Sequence, residues 1–341
     1  MNLKEMIIKL CSASGPSGFE TPVRLLAEEL IKPYVDETWT DAMGNLIAVR
    51  RCGRENARKL VLEAHMDEIG LIITGYEKGF LRFSSLGGID PRMLPAREVR
   101  VLTTDPLYGV IDTMPPHVLS TAEMDKSLEA DKLFIDVGMS EESVKKIPLG
   151  TPVVFAGGAE QLGADYICGK AMDDRACVAI IIKAMEYLQG KDLCVDVYAL
   201  ISTQEEVGLR GAKTGVFAIN PQLAIAIDVT HAHTPDAKKH ETLEMGKGVA
   251  IAVGPNMNQN ITDEIIKIAS EKEIPHQIEV VSGASGTDAW VIQVCREGVS
   301  TALLSLPVKY MHSPVETMNL DDASAIVRLV SEFAVKAGEV L

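Results

Sequence analysis

A chain of 341 residues exceeds the roughly 100–200 residues of one ordinary domain and is long enough to bury a sizeable core. Hydrophobic residues make up 47% and charged residues 24%, with 27 glycines, which excludes a disordered chain and describes a soluble globular α/β protein. A formal net charge of −15 argues against nucleic acid or a membrane surface as partner, because both demand a basic face.

The amino terminus shows no charged-then-apolar leader pattern, and the six cysteines are scattered without a Cys-x-x-Cys pair. A cytoplasmic, reducing location is therefore expected. Along the chain, Pro22 to Ile31 carries apolar residues at helical spacing, with Thr21 as the expected N-cap and Pro22 in the first turn. Asn45–Val49 and Lys59–Ala64 read as strands, the second running into His65-Met66-Asp67. From about Leu71 to Leu162, short β-rich runs alternate with Gly and Pro signals, and only Ser140–Lys146 looks helical. This divides the chain into a first part (residues 1–70) of one domain, an inserted β domain (71–162), and the remainder of the first domain (163–341).

Helix and strand alternate again after Tyr166. Asp174–Leu188, Val207–Phe217, Thr262–Glu271, Asp288–Glu297 and Asp321–Ala337 are expected helices. Leu193–Ile201, Leu223–Ile227, Gly248–Val253, Gln277–Val281 and Thr301–Leu306 are expected strands. Continuous apolar strands alternating with helices imply an α/β fold with a mixed, mostly parallel sheet covered on both faces.

Ligands of open α/β sheets bind beyond the carboxyl ends of the strands. His65 and Asp67 follow one strand, Glu205 and Glu206 another, Asp228 a third, and His312 follows the last, while Asp173-Asp174 precedes a helix. Singly these are ordinary: an acidic turn, an N-cap, a hydrogen-bonded histidine. Together they place many carboxylates at one edge, where like charges resist burial unless a cation removes the repulsion. Imidazole with carboxylate and no thiolate cluster suits Zn²⁺, Co²⁺ or Mn²⁺. Two ions sharing a bridging carboxylate would account for the number of candidate ligands and would polarise a carbonyl while lowering the pKa of a water.

The ordered motifs His65-Met66-Asp67-Glu68-Ile69-Gly70, Gly87-Gly88-Ile89-Asp90, Met172-Asp173-Asp174-Arg175, Thr203-Gln204-Glu205-Glu206-Val207-Gly208, Ala226-Ile227-Asp228-Val229-Thr230, Gly286-Thr287-Asp288-Ala289 and Tyr310-Met311-His312-Ser313-Pro314 span almost the whole chain. In this set the sequence resembles the dinuclear-metal aminopeptidases of the TET type, the family of glutamyl aminopeptidase and the so-called cellulase M proteins. The resemblance implies a zinc-peptidase-like domain with an inserted β-barrel or PDZ-like domain that makes subunit contacts. It further implies two divalent ions per subunit, with Asp173 bridging them, His65 and Asp228 completing one site, and Glu206 and His312 completing the other. Glu205 would be the general base, Asp67 would orient His65, and the Asp173–Asp174 peptide would be cis.

Short peptides are then the implied substrates, and a homododecamer built from dimers the implied assembly. Which first residue is preferred stays open. So do two other classes: a metal-dependent N-acyl amino acid amidohydrolase or a glycosidase, and an inert cage-forming scaffold. The two histidines and the scarcity of tryptophan, two in all, disfavour the glycosidase. His231 and His233 are expected in a solvated loop beside the cleft, and His117 in a surface turn of the insert.

Overall fold

The computed structural model describes residues 1–114, 116–118, 129–238 and 241–338. The chain opens with helices α1 (Leu3–Ser12) and α2 (Thr21–Ile31) and strands β1 (Glu37–Thr40), β2 (Leu46–Arg50) and β3 (Arg58–His65). Next come β4 (Gly70–Glu77), β5 (Phe80–Leu86), β6 (Glu98–Val101), β7 (Leu107–Ile111), β8 (Ile135–Asp136), the one-turn helix α3 (Glu141–Val144) and β9 (Pro152–Phe155). The third stretch holds β10 (Ala159–Leu162), β11 (Tyr166–Gly169), α4 (Met172–Tyr187), β12 (Val195–Ser202), α5 (Arg210–Ile219), β13 (Leu223–His231) and β14 (Val249–Val253). It ends with α6 (Gln259–Glu271), β15 (His276–Val280), α7 (Ala289–Ile292), β16 (Ser300–Lys309), β17 (Glu316–Asn319) and α8 (Leu320–Lys336).

Strands β4 to β9 close into an antiparallel barrel in the order β4-β5-β8-β7-β6-β9 around its own core of Leu71, Leu81, Val99 and Ile135. The other eleven strands form one sheet, ordered β1-β2-β12-β3-β13-β16-β17-β11-β10, with β14 on β16 and β15 on β14. Strand β10 lies inside the 71–162 stretch read as the insert, yet it pairs with β11 in the large sheet, so the barrel strands end at Phe155.

The centre of the sheet is parallel, β12-β3-β13-β16. Its strands read as unbroken apolar runs because both faces are covered. On one face Leu60, Leu62, Ile225 and Leu304 pack with α4, α8, α1 and α6, and on the other Val61, Leu200 and Ala224 pack with α5 and α7. At about 1.5–3 kcal/mol per fully buried aliphatic side chain, this packing holds the strand ends in place.

Three local readings differ from the structure. Thr21, expected as the N-cap of α2, is its first helical residue, with Glu20 at the cap and no side-chain cap bond. Helix α1 was not anticipated, although Asn2 and Glu5 form a reciprocal capping box at its start. The helix expected over Asp288–Glu297 shrinks to Ala289–Ile292, since Arg296 takes a positive φ of 53° and the chain leaves in i→i−3 turns. Among the described residues, no helix is long and apolar enough to cross a membrane.

Candidate metal centre

Parallel strands end together, and that gathers the chemistry. His65 closes β3, level with Ser202 of β12, and Asp228 stands near the end of β13. Glu205 and Glu206 sit in the turn from β12 into α5. The turn is tight because Gly211 lies against it; a Cβ there would come within 2.3 Å of the Thr203 carbonyl oxygen. Asn45 ties it down, accepting from the Thr203 amide and donating to the Gly211 carbonyl. Asp173 begins α4 with non-helical angles, and its peptide to Asp174 is cis.

Asp173 is the hinge of the arrangement. Its Oδ1 lies 3.1 Å from His65 Nε2 and its Oδ2 lies 3.4 Å from His312 Nε2. Two triads share it. His65, Asp173 and Asp228 bring donor atoms within 4.8 Å of one another, and so do Asp173, Glu206 and His312. Glu206 Oε2 is 3.4 Å from His312 Nε2, whereas Glu205 belongs to neither triad and holds Oε2 3.9 Å from His65 Nε2.

Each imidazole is aimed by what holds its other nitrogen. His312 Nδ1 donates to the Gly88 carbonyl at 2.8 Å, which holds the ring with Nε2 facing the carboxylates. Gly88 follows Gly87, whose φ of +83° and closeness to Ile69, then Glu206, leave no room for a side chain. His65 Nδ1 faces the Asp67 main-chain oxygen at 3.3 Å and the Asp67 carboxylate at 3.6 Å, too far for a hydrogen bond to the carboxylate. The Asp67 carboxylate instead accepts the Glu205 and Glu206 amides and the Ser17 hydroxyl. It thus fixes the backbone of both glutamates as well as flanking His65.

The electrostatics match a site made for cations. Burial pushes the Glu205 carboxyl up to about 10, with Asp228 and Asp288 adding to it against the opposing pull of His65. Burial and the Asp173 charge push Glu206 up to about 9, and burial, then Asp173, push Asp228 up to about 8. At Asp173 burial is outweighed by His312 and His65 on its two oxygens, which hold its carboxyl below the usual range. The cleft, about 530 Å³, has no lysine or arginine in its lining among the described residues. Imidazole and carboxylate donors around one shared aspartate fit the binding of divalent metal.

Several residues that matter were not singled out from the sequence. Glu316, 2% exposed, accepts the Asp173 amide on Oε2 and the His312 amide on Oε1, clamping one residue of each triad. Its signal was the His-x-x-x-Glu spacing. Glu63, alone among apolar neighbours in β3, shares the Ser202 hydroxyl with Asp288 beneath the cleft. Asp174, named in the sequence beside Asp173, is fully buried and accepts the His65 amide at 3.3 Å. His231 reaches the rim of the cleft, His233 pairs with Thr242 Oγ1 outside its lining, and His117 is exposed in a short turn.

An α/β sheet that presents histidines and carboxylates as two triads sharing one aspartate defines a metal-dependent hydrolase. Residues 44–329 match the M42 glutamyl aminopeptidase family. The lysyl aminopeptidase of Pyrococcus furiosus is 37% identical over 332 residues, 95% of this chain and 94% of that protein. Aminopeptidase APDkam598 from the archaeon Desulfurococcus kamchatkensis superposes with a TM-score of 0.92 at 40% identity, covering 99% of this chain and 96% of that one. The Pyrococcus horikoshii TET1 peptidase, which can assemble into a tetrahedron or a large octahedral shell, gives a TM-score of 0.87 at 34% identity, covering 98% and 100%. The chain belongs to the M42 glutamyl aminopeptidase family, whose members are metallo-aminopeptidases.

Proposed function

We propose that this chain removes N-terminal residues from short peptides with two divalent ions, Zn²⁺, Co²⁺ or Mn²⁺, held by His65, Asp173, Asp228, Glu206 and His312. The observation that carries the reading is Asp173, whose two oxygens face two different histidines. Bound ions supply Lewis-acid polarisation of the peptide carbonyl and a water of lowered pKa. Glu205 Oε2, outside both triads, takes a proton from the attacking water and returns it to the leaving amine nitrogen. Asp67 holds Glu205 in position through the Glu205 amide, and Glu316 keeps the Asp173 and His312 backbones in register.

The barrel, residues 70–155, is the proposed contact domain for a homododecamer built from dimers, supported by the shell-forming relative and by exposed Tyr108 and Leu149 on the barrel. Six free cysteines support a cytoplasmic location. The decisive experiment is release of first residues from aminoacyl p-nitroanilides and tripeptides, alongside N-acyl amino acids and β-glucans. Each is run after chelation and after returning Zn²⁺, Co²⁺ or Mn²⁺, with the ions per chain counted by mass spectrometry. Cleavage of blocked as readily as free amino termini, or one ion per chain at full rate, would overturn the reading. Light scattering that returns a monomer would overturn the assembly.

A further inference from the structure

The cleft extends sideways past the two triads. In the sheet, β16 lies on the flank of β13 away from β3 and β12, the strands that deliver His65 and the Glu205 turn. Ser305 of β16 is directly opposite Asp228 of β13, so the two share a face, and Thr230, two residues past Asp228, shares it too. Both hydroxyls donate to a single carboxylate. Thr230 Oγ1 reaches Glu279 Oε1 at 2.5 Å and Ser305 Oγ reaches Oε2 at 2.9 Å.

Glu279 is half-buried on β15 and lines the cleft beside Val281 and Leu303. Its two partners are neutral hydroxyls, which fix the carboxylate without neutralising it. The other acids of the cleft have tasks under the function proposed above: Asp173, Asp228 and Glu206 face ions, and Glu205 carries the proton. Glu279 is the negative charge left over, next to an apolar wall.

We propose that Glu279 selects peptides whose first residue is cationic, lysine or arginine. The methylene stem lies along Leu303 and Val281, and the charged tip meets the Glu279 carboxylate. An acidic first residue would bring like charge against it, and an apolar one would cover the carboxylate without pairing it.

The inference rests on the aminopeptidase reading, and the test keeps the two apart. With the ion-loaded protein, kcat/KM is measured for the p-nitroanilides of lysine, norleucine, leucine and glutamate; norleucine has the four-carbon stem of lysine without the ammonium. The expected result is lysine over norleucine by about 10- to 100-fold, from one charge-assisted contact. In Glu279→Gln that ratio falls towards one, and in Glu279→Lys the preference swings to glutamate.

Turnover that favours glutamate or leucine overturns the inference and leaves the aminopeptidase standing. A Glu279→Gln variant that slows all four substrates equally also overturns it, because the carboxylate would then serve the α-amino group or the scaffold. Calorimetric binding of free L-lysine against L-norleucine to the wild-type protein decides the matter if the variants fail to fold or no substrate turns over. Equal affinity for the two would sink the inference.

Discussion

Glu68 and Glu206 are both removed from water in the same domain, and their carboxyls are displaced in opposite directions. Glu68, 2% exposed, is met by Lys170 Nζ at 2.6 Å and Arg175 at 3.1 Å, and accepts the Gly15 amide as well. Against the penalty of burial, Arg175 and Lys170 hold its carboxyl below the usual range. Arg175 goes on to donate to the Met66, Ala13 and Gly15 carbonyls, so every charge in this cluster is answered from within the chain. Glu206 has Asp173 beside it and, among the described residues lining its cleft, no lysine or arginine, and burial with the Asp173 charge raises its carboxyl to about 9. With its cations supplied by the chain, Glu68 is a strut; Glu206, left without one and facing His312, is the proposed receptor for an ion.

The contrast can be broken from either side. The largest effect is expected at Glu205→Gln, which should cut kcat by about 10²- to 10⁴-fold while both ions stay bound. A near wild-type rate with full occupancy would remove Glu205 from the proton's path. On the strut side, Arg175→Met leaves Glu68 to Lys170 and the Gly15 amide and takes a donor from the Met66, Ala13 and Gly15 carbonyls, and it should destabilise the fold by about 3–5 kcal/mol in urea titration. Ion stoichiometry in the protein that remains folded should not change. A loss of affinity for ions without a loss of stability would reverse the assignment of the two clusters.

A graded effect follows from pH. Glu205, Glu206 and Asp228 have folded-state values of about 10, 9 and 8 against ordinary values of 4.5, 4.5 and 3.8. Without ions, the folded state therefore keeps protons that the unfolded chain has already lost. Stability contributed this way is fully present below the ordinary values and is lost as pH rises through the folded ones. The chelated protein should melt at progressively lower temperature from about pH 5 to pH 10, and returning Zn²⁺ should flatten the slope. Glu68 runs the other way: its contribution is present above its ordinary value and is lost on acidification. A chelated protein whose melting temperature is level across the alkaline range would contradict the receptor picture. The smallest effect is at Glu316→Gln, where one amide acceptor is lost and ion affinity should weaken by roughly 10- to 100-fold in calorimetric titration.

Much of this was open to reading without coordinates. The apolar runs ending at His65, in the turn before Glu205 and near Asp228 revealed both the parallel sheet and the edge where ligands converge, because buried strands show the same pattern wherever they occur. The residues that organise those ligands were harder. Glu316 sits in a four-residue strand and Glu279 on an edge strand, where a carboxylate reads as one more solvated side chain until the fold shows which groups donate to it. Asp67 was anticipated as the partner of His65. Its grip on the Glu205 and Glu206 amides depends on two strand ends lying side by side, and no spacing along the chain records that. Strands β7 and β8 and the pairing of β10 escaped for the same reason, being short and defined by their neighbours.

The Gly87-Gly88 loop, between β5 and β6, has a consequence for how the two domains can be taken apart. It leaves the barrel at the end of β5, yet its carbonyl is what His312 leans on, and its bare Cα lets Glu206 fit. An engineer who excised the barrel as a detachable accessory would also remove the prop of one proposed ion site and part of the wall of the cleft. The insertion and the chemistry are thus a single inheritance: a lineage that lost the barrel would have to find a new acceptor for His312 first.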